Sequence, residues 1–212
     1  YGLDRKTTLT AALPYRMLKS GAPKPGTFVI PETAEGGLNA PGNISLGFKR
    51  AIVEKQFRLS ANLRADLPTG SYDDASGLRS GYDAFTIVPS LSAGMGWGKL
   101  YWLGYTGFGF RGNGYSHFFN AGGEMGVKVW KCWLVGFTEL LYTYDNGDIV
   151  LPLHNRITNL YVDRQGWWSL GAKAIVELTP SIGLTASFGA AGWAQYVPKS
   201  PGISAGVYWK RG

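Results

Sequence analysis

The chain has 212 residues, 45% of them hydrophobic and 14% aromatic, with 31 glycines, only 17% charged residues and a formal net charge of +7. Glycine at this level, each costing a helix about 1 kcal/mol, excludes a helical bundle, and the apolar content excludes a disordered chain. The charge points to anionic partners such as nucleic acid, lipid head groups or small anions. One cysteine, Cys132, excludes an intrachain disulfide, and with only His117 and His154 beside it no metal or cofactor is expected.

Taken in chain order, period-two alternation predicts ten strands: 5–15, 43–53, 56–67, 83–95, 100–110, 116–129, 132–144, 166–178, 182–197 and 202–210. Many exceed the usual ~5–6 residues of soluble strands and match the ~9–11 residues that cross a bilayer at a tilt. No run of 18 apolar residues predicts a transmembrane helix. No signal peptide opens the chain, as in a mature exported protein that has lost one. Alternate links are very short, around Glu54-Lys55, Gly96–Gly98, Trp130-Lys131 and Thr179–Ser181. The others, 16–42, 68–82, 111–115, 145–165 and 198–201, are mostly longer. Short turns at one end and long loops at the other are the habit of outer-membrane barrels. The expected fold is therefore all-β, a transmembrane antiparallel up-and-down barrel of about ten strands spanning 1–212 as one domain.

In "FRLSANLRADL" (57–67), Phe57, Leu59, Ala61, Leu63, Ala65 and Leu67 share one face, and Arg58, Ser60, Asn62, Arg64 and Asp66 share the other. In 118–130, Phe119, Ala121, Met125, Val127 and Val129 oppose Asn120, Glu124 and Lys128. In 167–178, Trp168, Leu170, Ala172, Ala174, Val176 and Leu178 oppose Ser169, Gly171, Lys173 and Glu177. Strand length and charge placement assign the apolar faces to lipid and the polar faces to the lumen. Strands 100–110 and 132–144 do not sort this way: the first is apolar on both faces, and turning Glu139 inward turns Trp133, Val135 and Phe137 inward with it. A bulge in either strand would resolve the conflict. The expected lumen set is Arg58, Asn62, Arg64, Asp66, Glu124, Lys128, Glu139, Lys173 and Glu177, whose four cations and four carboxylates are expected to pair.

The tryptophans fall near strand ends: Trp97, Trp102, Trp130, Trp133 and Trp209 toward the short turns, Trp167, Trp168 and Trp193 toward the long loops. That distribution predicts aromatic girdles at two membrane–water interfaces. The basic residues scatter. Lys19, Lys24, Arg79, Arg156, Arg164 and Lys199 map to the long loops, where they suit lipopolysaccharide phosphates better than nucleic acid. A surface hydrolase would draw on Asp73, Asp74, Asp83, Asp148 and His154, or on Ser116-His117, which has no evident orienting acid. "GFGFRGNG" (107–114) matches no phosphate-loop fingerprint.

The opening "YGLDRKTTLTAALPY", the strand "SLGFKRAI" (45–52), "LRADLPTG" (63–70) with its Asp-rich loop, and the ending "GISAGVYWK" resemble the outer-membrane channel family associated with the meta-pathway of phenol degradation. The resemblance implies a closed barrel passing small hydrophobic or aromatic solutes. Members of that family usually carry more sequence before the "YGL" strand, which would raise the strand count to twelve, and Lys210, Arg211 and Gly212 follow the final aromatic Trp209. The leading expectation is a narrow channel with no enzymatic activity. The alternative is a structural barrel that anchors or seals an envelope complex, with outer-membrane lipid, lipopolysaccharide and other envelope proteins as partners. A surface hydrolase comes third.

Overall fold

The computed structural model describes residues 1–21, 35–197 and 199–210. Lys24, Arg211 and Gly212, named above, lie outside them. The chain is all-β. Its strands are β1 (Thr7–Ala12), β2 (Tyr15–Ser20), β3 (Gly36–Pro41), β4 (Ile44–Glu54), β5 (Phe57–Leu67), β6 (Thr86–Trp97), β7 (Leu100–Arg111), β8 (Phe118–Val129), β9 (Cys132–Thr143), β10 (Gly166–Glu177), β11 (Ile182–Gln195) and β12 (Gly202–Trp209). Ten of them form one antiparallel sheet in the order β1-β4-β5-β6-β7-β8-β9-β10-β11-β12, while β2 and β3 pair as a separate hairpin. No ladder joins β1 to β12, so these are the two edges of the sheet among the described residues.

The ten main strands answer to the ten expected from alternation. The differences have local causes. β6 begins at Thr86 rather than 83 because Asp83 turns its carbonyl to the Asn113 side chain. β8 begins at Phe118 rather than 116 because the backbone N–H groups of Ser116 and His117 donate to Asp163 and Asn146. The 16–42 connection, expected as a loop, contains the β2–β3 hairpin, and 145–165 contains a six-residue helix, α1 (Leu153–Thr158). Pro152 opens α1 with no side-chain cap, and Asn159 closes it in the left-handed conformation.

Register carries one face assignment around the whole sheet. Arg58 is opposite Gly94, Gly94 opposite Leu103, Leu103 opposite Glu124, Glu124 opposite Phe137, Phe137 opposite Gly171, and Gly171 opposite Gly189. Directly paired residues point the same way. All of these therefore share the inner face with Glu124. The ladders of β9 run without a shift on either side, so the inner face of β9 does carry Trp133, Val135, Phe137 and Glu139 together. The shifts in register fall elsewhere, between Ala51 and Val53 and between Trp168 and Ser169.

The sheet is strongly curled. Ser45 on β4 and Trp167 on β10 line one cavity of about 380 Å³. Six strand spacings would hold them roughly 29 Å apart in a flat sheet. The outer face of the curl is apolar and open to its surroundings: Leu63, Met125 and Val127 are 49%, 66% and 38% exposed.

Apart from Val135 and Ser60, little of the strand interior is buried away from the loops. The buried core gathers at the long-loop end, where Leu78, Ala84, Tyr115 and Val162 are buried with Ser76, Ser80, Ser116 and Asn155. Polar contacts knit this cap. Ser80 Oγ donates to the Pro41 carbonyl at 2.6 Å, and Asn43 Nδ2 to the Tyr82 carbonyl at 2.9 Å. Tyr82 Oη donates to Gln165 Oε1 at 2.7 Å. Asn155 Nδ2 and Thr158 Oγ1 of α1 both donate to the Gly77 carbonyl, at 3.3 and 3.0 Å. Gly77 itself has φ +69°, and a Cβ there would sit 2.2 Å from the His154 carbonyl oxygen. Gly77→Ala is expected to cost at least about 1–3 kcal/mol, through left-handed strain with that backbone clash added. The measurement is the thermal unfolding midpoint. An unchanged midpoint would mean that the α1 contact contributes nothing to the cap.

Candidate functional site

Inner-face positions alternate with apolar outer ones, so charged groups of β8 and β10 meet over the inner face of β9. Lys173 Nζ on β10 lies 2.7 Å from Glu124 Oε2 on β8, and Tyr101 Oη on β7 donates to Glu124 Oε1 at 2.8 Å. One layer nearer the short turns, Lys128 Nζ lies 2.5 Å from Glu177 Oε2. Toward the long loops, Arg64 Nε lies 3.1 Å from Asp66 Oδ1, which also accepts from Ser45 Oγ at 2.6 Å. Asn62 Nδ2 reaches Ser92 Oγ at 3.3 Å and the Ser90 carbonyl at 3.4 Å. Arg58 is opposite Glu54 in register, and Glu139 lines two inner cavities, but neither makes an ion pair among the described residues. The expected charges thus share one face, and six of the eight form three separate pairs rather than one continuous network.

Several inner-face residues lie outside the expected set. Lys49 stands opposite Asn62, and its own strand alternates Ser45, Gly47, Lys49, so the signal was present in the pattern. Tyr101 and Tyr105 belong to the strand whose two faces both read as apolar. Arg111 closes β7 at a position read as loop. Its guanidinium is sandwiched 4.1 Å from the Tyr82 ring and 4.3 Å from the Phe118 ring.

The tryptophans divide between the faces. Trp133 packs edge-on to Tyr101 at 5.1 Å, with Lys128 Nζ 5.7 Å from its ring, and Trp167 lines inner cavities with Phe137 and Ser169. By register both belong to the inner face. Trp97, Trp102, Trp168, Trp193 and Trp209 have outward parity, and Trp130 stands 83% exposed in a turn. An outward aromatic ring thus falls to these six.

The long-loop cap contains the groups a hydrolase would use. His154 Nε2 lies 3.8 Å from Asp74 Oδ1. Ser116 Oγ donates directly to Asp163 Oδ2 at 2.8 Å, and His117 Nδ1 accepts from the Arg111 backbone N–H at 3.3 Å. An acid does stand beside Ser116, but no imidazole lies between them, so the serine has no base in the triad order. The Asp73 carboxyl is held below its usual range by the hydroxyl and the backbone N–H of Ser76. Burial pushes the Tyr82 and Tyr115 phenols up, against the opposing pull of Arg111 and Arg79. Both remain neutral hydroxyls that serve as hydrogen-bonding partners. The arrangement is that of a packed polar lid.

Three cavities follow the inner face: one of about 380 Å³ under the cap, one of about 280 Å³ bounded by Leu103, Tyr105, Glu124, Glu139 and Lys173, and one of about 420 Å³ against β11 and β12. Lys173→Met would leave Glu124 held by Tyr101 alone, costing about 1–3 kcal/mol. Combined with Glu124→Gln it should cost less than the two single changes added together, as coupled neighbours do. Additive losses in unfolding free energy would mean that the pair does not act as a unit. Compared with known proteins, the chain matches no protein-family profile, and it matches no curated protein.

Proposed function

We propose that the curled sheet closes as an outer-membrane β-barrel and that the chain works as a narrow channel for small solutes. One observation carries the reading. Across the ten strands of the sheet, Arg50 is the one charged residue of outward parity among those described, and it sits toward the short turns with Nη1 bonded to Thr7 Oγ1 at 3.2 Å. Every other charge on those ten strands lies on the inner face. A soluble sheet has no reason to expel charge from an exposed surface, whereas hydrocarbon cannot accept it. Closure would also satisfy the free edge of β12, which lipid requires, while on the β1 edge Tyr1 and Leu3 already bond back to Leu9 and Thr7. The resemblance to outer-membrane channels points the same way, and the inner cavities supply the solute path. The basic loop residues suit lipopolysaccharide phosphates.

A second reading is favoured by the cap. A lid with buried polar bonds at the long-loop end, above an inner face of paired charges, also suits a structural barrel that seals or anchors an envelope complex. Planar-bilayer conductance separates the two: discrete currents support the channel, and silence from folded, inserted protein supports the structural barrel.

The membrane reading has its own test. Arg in place of Leu63 or Val127 is expected to cost about 2–4 kcal/mol if these side chains meet acyl chains near mid-bilayer. Gln at Asn62, which faces inward, should cost less. Folded protein should resist SDS at room temperature and shift its mobility on boiling. A water-soluble monomer that tolerates Leu63→Arg would overturn the reading.

A further inference from the structure

The cavity under the cap is lined by three arginines, Arg16, Arg64 and Arg111, and two carboxylates, Asp66 and Glu139. Arg64 is already paired with Asp66. Arg111 is only 8% exposed, and no carboxylate oxygen comes within 4.0 Å of it among the described residues. Its Nε and Nη1 are buried without a hydrogen-bond partner among the described residues, and the residue lines the cavity wall. The flanking Tyr82 and Phe118 rings fix the guanidinium in place but supply no counter-charge. The Oδ1 of Asn120, lining the same cavity, is also buried without a partner among the described residues.

We infer that this cavity is a binding site for a small organic monocarboxylate. An unpaired buried cation is costly, and a ligand anion removes that cost. The lining leaves one positive charge uncompensated, which suits a monoanion better than a dianion that Glu139 would repel. Tyr161, Leu141 and Trp167 give part of the wall an apolar surface that an organic body can cover, beside the polar side chains of Asn43, Ser45, Thr86 and Asn120. A cavity of about 380 Å³ is in the usual range for a small-molecule site. The inference goes beyond the channel reading, because a capped structural barrel could hold the same ligand.

The test is isothermal titration calorimetry of the full chain in detergent micelles, with pentanoate, pentanamide and inorganic phosphate as probes. Pentanoate should bind saturably, and pentanamide and phosphate should bind more weakly by roughly tenfold or more. Arg111→Gln should weaken pentanoate by a similar factor. Should that variant fail to fold, Asn120→Asp decides. It keeps the guanidinium and its rings while adding a fixed carboxylate to the cavity, and it should also weaken pentanoate. Equal binding of pentanamide, tighter binding of phosphate, unchanged affinity in Asn120→Asp, or no pentanoate binding would each overturn the assignment. Conductance is read separately. A protein that conducts without binding pentanoate fails this inference alone, and one that binds without conducting fails the channel reading alone.

Discussion

A charged side chain on a membrane-length strand must find its partner on the same side of the sheet. Lys173 and Glu124 meet that demand from strands two apart, and Lys128 and Glu177 meet it one layer below, on the same two strands in the opposite sense. The two ion pairs cross-link β8 and β10 over the inner face of β9. This explains why β9 can carry Trp133, Val135 and Phe137 inward. With the charges bridging above them, these side chains fill the space beneath and do not have to alternate with polar groups. The curl, the small inner residues opposite large ones, and the pairing of charge all follow from one requirement, that the inner face satisfy itself.

Much of this was legible in the alternation. Leu63 and Arg64, Val127 and Lys128, Leu170 and Lys173 each declare a face by position, and register carries that declaration from strand to strand. The strands that resisted reading did so for a physical reason. Hydropathy reads a tyrosine ring as apolar, yet Tyr101 and Tyr105 line the inner face, and the Tyr101 hydroxyl binds Glu124. An inner face built from aromatic rings with polar tips looks like a second outer face. Trp133 and Trp167 misled similarly, since nearness to a strand end does not say which side a ring takes.

The cap was the least legible part. Its contacts join residues far apart in sequence, such as Tyr82 with Gln165 and Asn155 with Gly77. No local pattern announces them. Arg111 stood in what read as a loop, and its significance comes from what surrounds it rather than from its neighbours in the chain. The β2–β3 hairpin was hidden similarly within a long connection, and the cap holds it through Ser80 and the Pro41 carbonyl.

The separation between cap contacts and sheet contacts has a kinetic consequence. From β4 to β12 every ladder joins consecutive strands, so most of the sheet can zip hairpin by hairpin, through alternate short turns and longer loops whose entropic cost grows only slowly with length. The Tyr82–Gln165 bond spans 83 residues, so its partners come within reach only after β6 to β10 are aligned. The lid is therefore the last element to order. Assembly would leave the inner face open at the loop end until late, a window in which the hollow fills with solvent or a small guest before the lid shuts over it.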